Sequence, residues 1–107
     1  MNKKITFRHM EHSNVMEDYI NQQLGKVENF LMNERTPIYI DIIINEGKIH
    51  AHHKVEMRVK TPHYDAFTHY EGPKIYDVID EVIDRMYEKL KEEKKKFAET
   101  QKTIDKY

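Results

Sequence analysis

The strongest constraint on the fold is the alternation of isoleucine with other residues in the stretch IYIDIII, residues 38–44. Successive side chains of a β-strand point to opposite faces, so Ile38, Ile40, Ile42 and Ile44 form one apolar strip. Such a strip needs neighbouring strands and a covering layer before it is removed from water. The chain is therefore predicted to build a sheet with one apolar face.

A second alternating stretch follows at once and predicts a hairpin. Residues 49–60, IHAHHKVEMRVK, place the following side chains inward: Ile49, Ala51, Val55, Met57 and Val59. The intervening segment NEGK predicts a tight turn centred on Glu46 and Gly47. That turn places Tyr39 opposite Lys54 on the outer face.

Two weaker stretches add strands on either side of this hairpin. KKITFRH, near the N-terminus, alternates with Ile5 and Phe7 inward. A second turn at residues 61–62 leads into HYDAFTHY, whose predicted inward set is Tyr64, Ala66 and Tyr70. This turn places Arg58 opposite Asp65, and such opposite-charge pairs stabilise a register slightly.

Two segments have the three- and four-residue spacing of apolar residues that is typical of amphipathic helices. The first begins after the N-cap Ser13, continues past Gly25 and ends before Pro37. Its apolar face consists of Met16, Ile20, Leu24, Val27 and Leu31. The second begins at Pro73 and is predicted to end in the mid-nineties. Its apolar stripe contains Ile75, Ile79, Val82, Met86 and Leu90, widened by Val78, Ile83 and Phe97.

The predicted element order is strand, helix, three strands, helix. This order favours an α+β fold, a two-layer β-α-β-β-β-α sandwich with a four-stranded sheet and both helices on one face. A length of 107 residues suits one domain. That domain is predicted over residues 1–97, and residues 98–107 are predicted to be a flexible C-terminal tail.

The charges nearly cancel over the chain but are separated along the second helix. Eighteen Lys and Arg against 19 Asp and Glu give a formal net charge of -1, so nucleic-acid binding would need a locally basic surface. Residues 74–84 hold one base and four acids, whereas residues 85–96 hold six bases and three acids. This order complements the helix dipole, and the basic end can also neutralise phosphates. The charge pattern leaves both interpretations open.

Histidines collect on the outer face of the predicted sheet. His50, His52 and His69 lie close enough in the predicted register to suggest a zinc site. A structural zinc site needs four ligands and the chain has no cysteine, so we expect exposed polar residues and no metal or other cofactor. His53 falls on the inward side, where a hydrogen-bonded imidazole is expected.

The outer face also carries apolar side chains, at Tyr39, Ile43 and Phe67. They lie among four predicted outer-face cations: Arg8, Lys54, Arg58 and Lys60. Such a surface can stack on bases, cover a protein partner or simply be scattered apolar surface.

No enzymatic signature is present. The sequence contains no phosphate-binding glycine loop, nucleophile elbow or HExxH motif, so we expect no catalysis and no small-molecule substrate.

The N-terminus MNKKITFRHM has no signal-peptide pattern, and no segment has 18 consecutive apolar residues. A cytoplasmic protein without membrane association is the expectation.

Four segments together resemble one known family. ITFRHMEHSN, LGKVENF, IHAHHKVEM and EGPKIYDVIDEVIDRMYEKLKEEKKK are similar in order and content to the ribosome hibernation-promoting factors, also called ribosome-associated translation inhibitors. The likeness covers about residues 3–96, and IYDVIDEVIDRMYEKL is its most specific part. It implies a fold similar to double-stranded RNA-binding domains. It also implies binding to the small ribosomal subunit, where the protein blocks the mRNA and tRNA channel. The chain resembles the short form, which has no added dimerising domain.

The resemblance implies RNA contacts at the ends of both helices. Lys26 and Arg85 match basic positions of the family. Nearby lysines would extend the contact: Lys89, Lys91, Lys95 and Lys96. The outer-face cations would supplement it: Arg8, Lys54, Arg58 and Lys60. The sequence departs from the usual Lys or Arg at four positions: Gln23, Asn29, Glu88 and Glu92.

An alternative function uses the same fold differently. The acids Glu88 and Glu92 and the near-zero net charge favour a protein-interaction module that acts through the exposed sheet face without binding ribosomes.

Overall fold

The computed structural model describes the backbone of residues 1–47 and 52–105, with side chains to residue 99. The strands and helices occur in this order: β1 (Asn2–Arg8), α1 (Asn14–Gln23), α2 (Gly25–Leu31), β2 (Tyr39–Asn45), β3 (His53–Lys60), β4 (Asp65–Gly72) and α3 (Ile75–Asp105).

The strands form one sheet in the order β1-β2-β3-β4. β1 is parallel to β2, and the other neighbours are antiparallel. Helix α3 packs on β3 and β4, and α1 and α2 pack against α3. The helices thus cover one face of the sheet, which confirms the predicted two-layer α+β sandwich.

The period-two pattern of the strands identifies the core correctly. Each predicted isoleucine of residues 38–44 is at most 4% exposed. The same holds for the predicted inward residues of β3, namely Val55, Met57 and Val59. Ile49 and Ala51 lie outside the described residues. The apolar faces of the helices complete this core, with Ile20, Leu24 and Leu90 fully buried.

The predicted strand registers are wrong, although the faces are right. Tyr39 pairs with Lys60 instead of Lys54, because residues 46–52 connect β2 to β3 in place of a two-residue turn. Arg58 pairs with Phe67 instead of Asp65. Both shifts are even, so every side chain keeps its face. Arg58 still reaches Asp65 diagonally, with Nε and a terminal nitrogen donating to its two carboxylate oxygens at 2.9 and 2.8 Å.

The first helix begins at Asn14 as predicted, the second begins at Ile75, two residues after the predicted Pro73, and both differ from the prediction in extent. Ser13 caps α1 by accepting a hydrogen bond from the Met16 amide at 3.2 Å. The predicted single first helix is divided at Leu24 into α1 and α2, yet its apolar face stays continuous. Helix α3 continues to Asp105, so the predicted end in the mid-nineties is wrong.

The added length of α3 has a local cause. The segment beyond residue 90 has no apolar stripe, but it is rich in lysine and glutamate, which are good helix formers. Lys91 pairs with Glu88 at 3.0 Å and Lys96 with Glu93 at 4.0 Å, both one turn apart. Local propensity therefore extends this helix without core contacts. The predicted flexibility of residues 98–107 stays a prediction.

Two aromatic residues assigned to the core lie at its edge instead. Tyr70 is 37% exposed and Phe97 is 38% exposed. Tyr70 lies towards the end of the edge strand β4, and Phe97 lies on the far part of α3, where its ring stacks on His63 at 4.6 Å. Ala66, Thr68 and Gly72 are the buried residues of β4, and the Thr68 hydroxyl donates to the Val82 carbonyl at 3.2 Å.

Two tyrosine hydroxyls fix elements against one another. Tyr19 of α1 donates to Asp80 of α3 at 2.6 Å, and this hydrogen bond raises the pKa of Tyr19 to about 12. Tyr64 donates to Glu34, after α2, at 3.3 Å. Burial, together with the Glu34 carboxylate, raises the pKa of Tyr64 to about 12. Both phenols therefore remain protonated donors at neutral pH.

Two glycines provide a matched test of backbone packing. A Cβ at Gly47 would lie 1.9 Å from the carbonyl oxygen of His52, whereas a Cβ at Gly25 meets no atom within 4 Å. The Gly47 amide also donates to Nδ1 of half-buried His53 at 3.2 Å, which gives the predicted inward imidazole its hydrogen bond.

We expect Gly47→Ala to lower the free energy of unfolding by about 1–3 kcal/mol, because backbone must move to admit the methyl group. Gly25→Ala should raise it by about 0.4–1 kcal/mol, because alanine favours the helix and loses less entropy on folding. Urea unfolding of both variants measures the two shifts. Shifts of the same sign would contradict the close approach at Gly47.

Candidate nucleic-acid interface

Three lysines from two helices surround a pair of aromatic rings on the outside of the helical layer. Lys26 lies on α2, Lys91 and Lys94 lie on α3, and the rings are those of Phe30 and Tyr87. The Lys26 and Lys91 ammonium groups lie 5.5 and 4.7 Å from the centre of the Tyr87 ring. Lys94 lies 5.2 Å from the centre of the Phe30 ring, and the rings meet edge-to-face at 6.0 Å. We call these five residues the helical lysine cluster.

Helix periodicity builds this cluster. Lys26 and Phe30 are four residues apart on α2, and Tyr87, Lys91 and Lys94 follow one stripe of α3 at intervals of four and three residues. The two helices pack together, and both rings rest half-buried against the core. The rings hold the lysine stems, and cation–π attraction holds their ammonium groups.

Acidic residues of the same surface pair with two of these lysines. Lys26 forms an ion pair with Asp84, and Lys91 donates to Glu88 at 3.0 Å. The Glu88 hydrogen bond raises the pKa of Lys91, so this lysine stays charged well above neutral pH. Ion pairs between exposed side chains are weak, so a phosphate can take the place of either acid at little cost. The Lys94 ammonium group contacts the Phe30 ring and forms no ion pair with a carboxylate among the described residues.

Arg85 and Lys89 lie on a different side of α3. The Arg85 guanidinium lies 4.7 Å from the centre of the Tyr70 ring, and its Nε donates to Glu81 at 2.8 Å. The Lys89 ammonium donates to the backbone carbonyl of Phe67 at 2.9 Å. Both side chains therefore line a groove between α3 and the edge strand β4. The RNA-binding surface predicted from the sequence is divided between this groove and the helical lysine cluster.

The remaining predicted α3 cations lie further along the helix. Lys95 and Lys96 are both exposed. Lys96 lies 4.0 Å from Glu93, and Lys95 makes no ion pair within the part of the chain that is described. These two residues extend the basic surface towards the C-terminal end of α3.

The outer sheet face holds the other four predicted cations, of which two are paired. Arg58 binds Asp65 through two hydrogen bonds, which raise the pKa of Arg58 and lower the pKa of Asp65. Lys54 lies 3.2 Å from Glu56 and 4.0 Å from Glu71.

Neither Arg8 nor Lys60 forms an ion pair among the residues described, but Lys60 lies directly across the sheet from Asp65 and attracts its carboxylate. Tyr39 and Phe67, on the same face, are 44% and 46% exposed. The predicted exposure of this face is confirmed.

The histidines of this face do not assemble into a metal centre within the described range. No group of three or more His, Cys, Asp or Glu side chains is arranged there to hold a metal. His50 lies outside the described residues. His69 pairs across the sheet with Glu56, and its ring lies 5.7 Å from that of Phe67.

Within the same range, no helix has the length and apolar character needed to cross a bilayer.

Sequence reasoning missed Lys94, Phe30 and Tyr87. The spacing of Tyr87, Lys91 and Lys94 on one stripe is a signal that the sequence contains, but the contact with Phe30 depends on how α2 lies against α3. Conversely, Arg85 lies two residues before Tyr87, which is about 200° around the helix. That separation explains why Arg85 belongs to another surface.

Comparison with known proteins gives a consistent family and fold. The family model described as Sigma 54 modulation protein / S30EA ribosomal protein matches residues 4–98. The crystal structure of the Thermus thermophilus Protein Y N-terminal domain is similar, with a TM-score of 0.73 and 19% identity over 86% of this chain and 98% of that chain. A ribosomal subunit interface protein from Coxiella burnetii has a TM-score of 0.68 and 18% identity, over 88% and 98%. No curated protein sequence matches the chain significantly.

Proposed function

The chain belongs to the Sigma 54 modulation protein / S30EA ribosomal protein family, and on that premise we propose that it binds the small ribosomal subunit. There it would occupy the mRNA and tRNA channel and inhibit translation. The family match spans the sheet and the helical layer, including every residue of the helical lysine cluster. One of the similar structures is itself named a ribosomal subunit interface protein.

The helical lysine cluster is the observation that carries the RNA contact. It brings cations from two helices onto one surface and holds them on rings, so that little side-chain freedom remains to be lost on binding. Each phosphate that replaces Asp84 or Glu88 releases counterions from the RNA. Lys95 and Lys96 continue the basic surface along the same helix.

Inhibition through this contact needs no chemical step. A folded domain that occupies the channel excludes mRNA and tRNA by its volume, so inhibition follows from occupancy alone. The fraction of ribosomes inhibited then depends on the affinity of the protein and on the concentration of competing mRNA and tRNA.

Co-sedimentation with ribosomes at low and moderate salt tests this function. We expect the protein to pellet with the small subunit, to be released as salt rises, and to be displaced by mRNA together with tRNA. Absence from the pellet at low salt would contradict ribosome binding. Binding that is unchanged when mRNA and tRNA are added would contradict occupation of the channel.

The alternative function, a protein-interaction module, has its own signature. The exposed rings of Tyr39 and Phe67 favour it. Capture of a protein partner that persists at high salt and is lost in Phe67→Ser would support this alternative.

A further inference from the structure

The two edge strands of the sheet carry opposite charges on the outer face. β1 contributes Lys4 and Arg8 to that face and no acid, whereas β4 contributes Asp65 and Glu71 and no lysine or arginine. Lys4 and Arg8 are both exposed; Lys4 lies directly across from Asp41 of β2, whereas Arg8 lies across from Asn45 and forms no ion pair among the described residues. When two copies of this face meet with the strand order of one reversed, β1 of each copy lies over the oppositely charged β4 of the other.

We propose that two copies of this chain associate through their outer sheet faces, with β1 of each copy over β4 of the other. The two-fold axis lies between the sheets and runs parallel to the strands. This proposal concerns a surface separate from the helical lysine cluster and does not depend on ribosome binding.

The strand registers determine which side chains meet. One row across the sheet runs Arg8, Asn45, Lys54 and Glu71. An axis parallel to the strands reverses the order of the strands and keeps each row, so Arg8 faces Glu71 of the second copy. Every contact at a two-fold interface occurs twice, so this ion pair forms at two places.

The same operation produces favourable contacts in two of the four outer rows of the central strands. Tyr39 and Lys60 occupy one row on β2 and β3, and Asp41 and Arg58 occupy the next. After the rotation, Lys60 lies over the exposed Tyr39 ring of the second copy, and Arg58 lies over Asp41. Both contacts are favourable, by cation–π and charge attraction respectively.

The charges disfavour the other face-to-face arrangement, in which the two-fold axis is perpendicular to the strands. An axis perpendicular to the strands places β1 over β1 and β4 over β4. This axis also reverses the order of the rows, so Asp65 faces Glu71 and Lys54 faces Lys60 of the second copy, each at two places. Like-charge contacts of this kind disfavour that arrangement.

A second copy fits this face better than a nucleic acid does. The described face carries five Lys and Arg side chains: Lys4, Arg8, Lys54, Arg58 and Lys60. It also carries four carboxylates: Asp41, Glu56, Asp65 and Glu71. The acidic β4 would repel phosphates, whereas mixed charges around Tyr39 and Phe67 suit a protein surface.

The available area predicts that the association is weak. Four strands of seven or eight residues present a face of about 400 Å², from the usual strand spacing and rise. This lies at the low end for specific protein interfaces, so we expect a reversible dimer that forms at high protein concentration. Dimerisation covers Arg8, Arg58 and Lys60, so these cations cannot bind RNA in the same particle.

Sedimentation equilibrium of the isolated protein, without ribosomes, tests the proposal. At concentrations up to about 1 mM the natural chain should show a monomer–dimer equilibrium that weakens as salt increases. Arg8→Glu alone and Glu71→Arg alone should each weaken dimerisation by about ten-fold or more, because like charges then meet twice. An equal mixture of the two variants should recover the dimer. In the mixed dimer the two introduced side chains face each other at one place and the natural Arg8 and Glu71 meet at the other, so opposite charges meet at both.

Lys74→Glu is the matched control, because it makes the same charge change as Arg8→Glu outside the outer face. It should dimerise like the natural chain. Circular dichroism checks that every variant is folded. A natural chain that is monomeric at about 1 mM and low salt would overturn the proposal. Single variants that dimerise normally, or a mixture that shows no recovery, would overturn the proposed pairing of β1 with β4.

Discussion

The variant that combines Lys26→Glu with Lys91→Glu is expected to bind ribosomes on the order of 100-fold more weakly than the natural chain at moderate salt. Both ammonium groups lie over the Tyr87 ring, so the substitutions remove two neighbouring cations of the proposed RNA contact and place two carboxylates there. The slope of log affinity against log salt should also become smaller by about 2, one for each lost phosphate contact. Co-sedimentation over a salt series measures both quantities.

A matched variant separates this local effect from net charge. Arg35→Glu combined with Lys74→Glu changes the net charge equally, but both residues are exposed and lie outside the helical lysine cluster. We expect this control to retain most of the affinity. Equal losses in the two variants would show that the whole protein's charge, and no particular surface, governs binding. Thermal unfolding of both proteins checks that the loss of the Lys26–Asp84 and Lys91–Glu88 pairs has not unfolded the domain.

Substitution of Arg85 and Lys89, the choice that the sequence suggests, gives a less specific test. Lys89 donates to the Phe67 carbonyl on the exposed edge of β4, and Arg85 covers the Tyr70 ring. Reversing these charges would disturb the contact between α3 and the sheet as well as any RNA contact. Reduced binding in such a variant would therefore have two causes.

The sequence predicts which side chains face the core better than it predicts which residues pair between neighbouring strands. Alternation in residues 38–44 determines the face of each isoleucine, because the side-chain period of a strand is two. It does not determine the register, which depends on the length of the connection. Tyr39 consequently pairs with Lys60, six residues from the predicted partner, without any change of face. The alternating pattern begins at residue 49 whereas β3 begins at His53, so the pattern does not give the length of the connection.

The candidate site was predicted in part, for a related reason. Lys26 and Lys91 can be identified from their positions on two amphipathic helices, but their convergence on Tyr87 requires the packing of α2 against α3. The sequence brought Arg58 and Asp65 together, although they meet diagonally and not as a cross-strand pair. It did not predict the pairing of Lys26 with Asp84, which joins two helices. Contacts between distant segments follow from tertiary structure and leave little trace in local spacing.

Ile42→Ala is expected to lower the free energy of unfolding by about 2–5 kcal/mol, a large part of the stability of a domain this size. Ile42 is 1% exposed on the central strand β2, between Ile5 of β1 and Met57 of β3. Truncation removes apolar burial and leaves a cavity that its neighbours on two strands cannot fill. The midpoint of thermal unfolding should fall by roughly 10–20 °C.

Ile43→Ala is the control, because the same chemical change occurs one residue away on the opposite face. Ile43 is half-buried on the outer sheet face, between Thr6 and Glu56, so its truncation opens no cavity and should cost less than about 1 kcal/mol. If Ile42→Ala does not fold, Ile42→Val keeps the comparison possible with an expected loss of about 0.5–1.5 kcal/mol. Equal losses at residues 42 and 43 would mean that both faces of the sheet are covered in the isolated protein. Only a dimer through the outer face would then reconcile that result with the exposed Tyr39 and Phe67. Dilution of the protein should then reduce the loss of unfolding free energy caused by Ile43→Ala and leave the loss caused by Ile42→Ala unchanged.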